Sequence, residues 1–195
     1  MDSGNRFGDV EITDPRAMRA LAHPVRLAIL ERLQRHGPAT ASQLSPHVGA
    51  TPSVASWHLR HLAGFGLVRD AVEGGTDRRE RRWEAVARGF RIAVPEDEDG
   101  TSAARALSWE MFARAAELPE RWATETEPVL EPAWRRLSGL ANTRVVVTAE
   151  ELAAIEDAIE AAIAPYVTRE QRPPAGRGVR LLRYMLPETS DGADA

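Results

Sequence analysis

Between residues 40 and 68 the apolar positions recur with a helical period, broken once by a few residues. Thr40 precedes Ala41 as an N-cap, its hydroxyl able to satisfy an orphan backbone N–H. Gly49 provides the left-handed backbone that ends a helix without a Cβ clash. Thr51 is a second N-cap, and Pro52 takes the first helical position, where a missing N–H costs nothing. The spacing predicts two short helices joined by a sharp turn. In the second, Ala55, Leu59 and Leu62 share a face and should pack inward. Ser53, Ser56, Trp57 and Arg60 form the opposite stripe, free for phosphates or base edges. A solvated helix of an ordinary helical domain has the same periodicity. The caps, the turn and the hairpin that follows favour a helix-turn-helix instead.

The flanking pattern completes that unit. Leu21, Val25, Leu27, Ile29, Leu30 and Leu33 form an apolar set able to pack under the second helix. Pro24 follows His23, so the helix from Asp14 should break or kink there, and Gly37-Pro38 ends the next. Downstream, Leu67–Glu73 and Glu80–Ala87 read as strands around a Gly74-Gly75 turn. Arg78 and Arg79 belong near the tip, with Arg81 and Arg82 entering the return strand. A basic tip there suits phosphates or the minor groove. Its alternative is a surface loop whose arginines pair with Asp77 and Glu80.

The second half reads differently. Residues 95–101 form an acidic linker, after which Ser102 can cap a helix. Leu107, Met111, Ala115 and Leu118 recur on one face of that helix with Phe112 beside them, a seam read as a dimer interface. Packing within the C-terminal module is the alternative. Pro119 should kink or divide the helix. A β–α–β unit follows. Its first strand is Arg144–Val147, a Thr148/Glu151 capping box opens its helix, and Val179–Leu186 is its last strand. Leu152, Ile155, Ile159, Ile163 and Tyr166 form the helix's apolar stripe. Residues 188–195 read as a disordered acidic tail. Trp109, Phe112, Trp122 and Trp134 are read as core, with the lining of an apolar effector pocket as the alternative.

Three stretches in this order resemble the ArsR family of winged helix-turn-helix repressors. They are D-P-R-A-M-R-A-L-A-H-P-V-R-L-A-I-L-E-R-L (14–33), S-V-A-S-W-H-L-R-H-L (53–62) and G-L-V-R-D (66–70). The resemblance spans roughly residues 12–92. It implies a homodimer on an operator, released or engaged by a signal. Ser56, His58 and Leu59 match the middle of the family's recognition helix. Trp57 departs from the polar or basic residue expected there, and either meets a thymine methyl or packs against the wing. Arg26 is a phosphate contact by resemblance, or an ion-pair partner of a carboxylate such as Glu31. The DNA-facing set is therefore Thr51, Pro52, Ser53, Ser56, Trp57, His58, Arg60, Arg78, Arg79, Arg81 and Arg26.

Charge sharpens the division. Residues 1–94 carry 14 Arg against 10 Asp/Glu, a net of +4, whereas residues 95–195 carry 11 against 19, a net of −8. A nucleic-acid module followed by an acidic one accounts for the contrast. All 25 basic residues are arginine, which suits bidentate phosphate and guanine contacts. The chain has no cysteine, which removes disulfides, thiolate nucleophiles and the thiolate metal sensor of the family. No histidine follows His61, so a carboxylate–imidazole sensor on the later helices lacks its ligand. His58 and His61 have a possible ligand spacing, but core packing or a phosphate contact is the favoured reading. No apolar leader or membrane-length run is present, so the chain is expected in the cytoplasm, without a membrane partner.

The expected fold is mainly α with a β-hairpin wing. A flexible N-terminus (1–11) leads into a winged helix-turn-helix (12–94). The acidic linker joins it to a C-terminal α/β module (102–187) for dimerisation or effector binding. The expected partners are an operator duplex, a second copy and a small-molecule effector. No catalytic constellation, cofactor site or metal site emerges. The competing function is a winged-helix module that binds protein, or binds DNA architecturally.

Overall fold

The computed structural model describes residues 6–71, 81–171 and 173–189. Local chemistry sets the first helices. Asp14 caps α1 (Pro15–Leu21), its carboxylate accepting from Arg16 N at 2.8 Å. His23 and Pro24 then separate α1 from α2 (Pro24–His36), with His23 Nδ1 accepting from Val25 N. The expected break at Pro24 is therefore present. Gly37 ends α2, and β2 (Ala39–Thr40) leads into α3 (Ala41–Val48). Thr40 and Gln43 form a reciprocal capping box at the start of α3. Gly49, at φ 66°, turns the chain into α4 (Pro52–Gly64), which Thr51 caps.

The wing base consists of β3 (Val68–Asp70) and β4 (Arg82–Ala85), antiparallel, with β2 on the other side of β4. Val68 faces Ala85, and Trp83 is buried beneath the sheet. Residues 72–80, with the Gly-Gly turn, Arg78 and Arg79, lie outside the described residues. The core joins Met18, Leu21, Leu27, Ile29, Leu30, Leu44, Leu59 and Leu62, all almost fully buried.

Three expectations are corrected around this core. First, the segment read as a flexible N-terminus contains a strand. β1 (Val10–Ile12) pairs in parallel with β5 (Phe90–Ile92), and Ile12 is buried. Second, the acidic stretch is a helix start. Asp97, not Ser102, caps α5 (Glu98–Arg121), with Glu98 and Asp99 in its first turn, where acidic side chains complement the helix dipole. Asp99 also pairs with Arg19 of α1, which donates to its carboxylate at 3.1 Å and to its carbonyl at 3.2 Å. Third, α5 belongs to the N-terminal core. Ala103, Ala104 and Leu107 are buried in it, so Leu107 is no part of a free seam. α5 continues through Pro119 undivided, and a π-helical turn (Trp122–Thr126) and a 3-10 turn (Glu127–Val129) follow.

The C-terminal half is helical. After the short α6 (Pro132–Arg135), Thr148 and Glu151 form the expected capping box on α7 (Ala149–Val167). The flanking strands do not form. Among the described residues, 144–147 and 179–186 have no ladder partner, and Val146 is 86 % exposed. β-branched runs favour a sheet only where an edge is on offer, and among the described residues no strand edge meets them. The apolar stripe of α7 is at best half-buried, with Tyr166 and Ile155 exposed. Polar contacts tie α7 to the first half. Arg91 bridges Asp9 (3.6 Å) and the buried Glu160 (2.6 Å), and Arg88 donates to the Val167 carbonyl at 2.5 Å. The aromatic residues read as core are dispersed. Trp109 is 75 % exposed, Phe112 meets Tyr184 at 5.8 Å between ring centres, and Trp134 meets Arg177 at 5.5 Å.

Candidate nucleic-acid interface

Helix α4 presents two chemically distinct faces. Ala55, Leu59 and Leu62 are fully buried, which fixes the rotation of the helix on the core. Ser53, Trp57 and Arg60 are exposed on the other side, with Ser56 half-buried between them. At the capped end, the Thr51 hydroxyl accepts from Val54 N at 3.4 Å and lies 3.1 Å from the Ser53 hydroxyl. Thr51, Pro52 and Ser53 therefore form an exposed, polar helix entrance carrying the positive end of the helix dipole. One turn on, Arg60 donates to Ser56 Oγ at 2.9 Å, which steadies its guanidinium on the exposed stripe. Trp57, 53 % exposed, stacks on His61 at 5.5 Å, so its ring lies along its own helix.

His58 is a correction. The structure buries it (5 % exposed) on the face of Ala55, Leu59 and Leu62, where it cannot meet a phosphate or a base. Its ring centre lies 4.8 Å from that of His23, and its Nδ1 has no hydrogen-bond partner among the described residues. Burial, then the nearby charges of His23, Arg26 and His61, hold its pKa down at about 4. A neutral imidazole in the core follows. Of the two readings the sequence favours for His58, core packing and a phosphate contact, the structure takes the first, and positions 55, 58, 59 and 62 follow the i, i+3, i+4, i+7 spacing of a single buried face.

Two arginines are also placed differently from expectation. Arg26 is half-buried and donates through Nε to the Ala20 carbonyl at the α1–α2 corner. Glu31, the carboxylate considered for it, pairs with Arg114 of α5 at 2.9 Å. Arg81 chelates Asp70 across the wing base, its Nη2 donating at 2.8 Å, and covers Trp83 at 4.1 Å. That partnership holds the Asp70 carboxyl below its usual range. Arg69 pairs with Glu84 at 2.7 Å, and Arg82 donates to the Pro38 carbonyl at 2.6 Å. In the described base of the wing the charges of Arg69 and Arg81 are thus offset by Glu84 and Asp70, and Arg82 leaves a formal charge of +1. Among the described residues no three His, Asp or Glu side chains converge as metal ligands, and no helix is long and apolar enough to cross a membrane.

Residues 21–71 match the model of a helix-turn-helix domain. The chain is similar to a solved possible transcriptional regulator for arsenical resistance, at 26% identity over 52% of this chain and 93% of that one, with a TM-score of 0.31. It is similar to a MarR family regulator from Neisseria meningitidis at 20% identity, covering 73% and 79% of the two chains, with a TM-score of 0.31. It is also similar to the YusO protein from Bacillus subtilis at 16% identity, covering 76% and 79%, with a TM-score of 0.33. The curated proteins give no match.

Proposed function

We propose that the chain is a sequence-specific DNA-binding transcriptional regulator of the ArsR type, acting in the cytoplasm as a dimeric repressor. The observation that carries the reading is the stripe of exposed Thr51, Ser53, Trp57 and Arg60, with half-buried Ser56 among them, on the second helix of a helix-turn-helix whose other face is locked in the core. In the major groove, the capped end of α4 faces the phosphates and Arg60 offers its fork to guanine or the backbone. Arg78 and Arg79 at the wing tip reach the flanking backbone or minor groove. The exposed Met111 and Phe112, with Ala115 and Leu118 on the same helix, support self-association through the outer face of α5. Two copies then read half-sites about 34–36 Å apart, one helical turn, or a multiple of it. The C-terminal half receives the signal.

Selection from a random duplex pool tests this reading. Enrichment of an inverted repeat supports it, and a pool that stays random through successive rounds contradicts it. One observation favours a second reading, a protein-binding module. Trp57 and the adjacent Val54, 44 % exposed, add apolar surface to the stripe. That reading predicts DNA binding without sequence preference.

A further inference from the structure

Two adjoining recesses, of about 90 and 130 Å³, lie where α2, α5 and the chain around residue 180 meet. Together they are lined by five arginines: Arg32, Arg35, Arg114, Arg121 and Arg180. Among the described residues only two carboxylates share the walls, Glu31 and Glu117, which leaves a net charge of +3 there. Glu31 is committed to Arg114 at 2.9 Å. Among the described residues, Arg32, Arg35, Arg121 and Arg180 have no ion pair. This concentration stands in a chain whose overall charge is −4.

The ordinary explanation of such arginines is helix-end charge. Arg35 and Arg121 do sit in the last turns of α2 and α5. Each helix end contributes a partial charge of about −0.5, so two ends offset about one of the three positive charges. A surplus of about two remains. Burial and the charge of Arg35 then disfavour the charged form of Arg180, with Arg114 and Arg121 adding to the repulsion and Glu31 opposing it. A bound anion relieves that repulsion. No residue of α4, β3 or β4 lines either recess, so the site is separate from the stripe that faces DNA. The recesses are too small for a drug-sized ligand but accept a phosphate or carboxylate group.

We propose that this arginine cleft binds a compact small-molecule di- or trianion, a phosphate ester or a polycarboxylate, gripped by Arg35, Arg114 and Arg180. Arginine forks hold such anions bidentately. The ligand fastens α5 and the C-terminal chain to α2. That makes the cleft the effector site of the proposed regulator, and this last step rests on the DNA-binding reading.

Isothermal titration of the full chain, without DNA, with pyrophosphate and with citrate tests the binding itself. Potassium chloride at matched ionic strength is the control. The expected result is saturable binding of at least one of the two, one per chain, with a Kd below about 1 mM. Which of them binds distinguishes the phosphate from the carboxylate source. The double variant R35A/R180A should weaken it at least about tenfold, the loss of one good charge-assisted contact. R180Q, a single change that keeps a polar side chain, replaces the double variant if the latter loses its helical circular dichroism. Heats equal to the chloride control overturn the proposal, as does equal binding by wild type and variant. Loss of DNA affinity in R35A/R180A without any anion overturns it too, since it assigns the cleft to the DNA backbone. Because the titration contains no DNA, failure of the DNA reading leaves its result standing.

Discussion

His58 of α4 and His23 at the start of α2 stand with ring centres 4.8 Å apart, the His58 ring buried on the core side of its helix and His23 half-buried. Two imidazoles this close, with Arg26 nearby, are compatible only while they are largely uncharged. Burial lowers the pKa of His23 as well, with Arg26 acting in the same direction and Glu110 opposing it.

Stability should therefore depend on pH in a defined window. The folded pKa of His58, about 4, lies below its ordinary 6.5, so between these values the unfolded chain binds more protons than the folded one. The contribution is complete above about pH 6.5 and is lost as pH falls towards 4. Its full size is roughly 3 kcal/mol at about 1.4 kcal/mol per pKa unit. Urea unfolding of wild type and His58→Leu at pH 7, 6, 5 and 4.5 checks this. The variant should show a much shallower decline, with the remainder due to His23 and His36, whose pKa values are also lowered; parallel declines would refute the assignment.

Arg60 and Arg81 should differ in their effect on DNA affinity. Arg60 is exposed on the stripe with a neutral partner, whereas Arg81 is held by the carboxylate of Asp70. Arg60→Ala should weaken specific binding by about 1–3 kcal/mol, and Arg81→Ala by less than about 1 kcal/mol. Neither should alter the helical circular dichroism signal. Anisotropy titrations at one salt concentration decide this, and equal losses would mean that Arg81 leaves Asp70 on the complex.

The wing tip is tested by salt. If Arg78 and Arg79 each neutralise a phosphate, the double alanine variant should lower the slope of log K against log salt by about 2. An unchanged slope removes both residues from the interface.

Leu107 and Phe112 separate core from interface on one helix. Leu107 is fully buried, so Leu107→Ala should cost about 2–5 kcal/mol of stability. Phe112 is 45 % exposed, so Phe112→Glu should spare the fold and weaken self-association. Sedimentation equilibrium alongside thermal unfolding measures both; a Phe112→Glu protein that stays dimeric places the interface elsewhere.

The parts of the fold legible in the sequence are those fixed by nearby residues. Thr40, Gly49, Thr51 and Pro52 act within one helical turn of themselves, and the boundaries of α3 and α4 follow from them. The β1–β5 pair joins Val10 to Phe90, and three-residue strands so far apart leave no local pattern. The acidic run at 95–101 resembled a linker by composition. Asp97 instead caps a helix, and the following acids serve its dipole. The runs at 144–147 and 179–186 show strand composition, but a strand needs an edge that sequence alone cannot supply. For His58 the motif resemblance points to DNA and the spacing of its own helix to the core, and the spacing decides.

The most direct test of the central claim is fluorescence anisotropy on a duplex from upstream of the chain's own gene. A scrambled duplex of equal length runs beside it, with wild type and Arg60→Ala at several salt concentrations. The account predicts wild-type binding at least about a thousandfold tighter to the upstream duplex, a steep fall with salt, and a preference reduced by the variant. Equal binding of wild type and variant to both duplexes would contradict it.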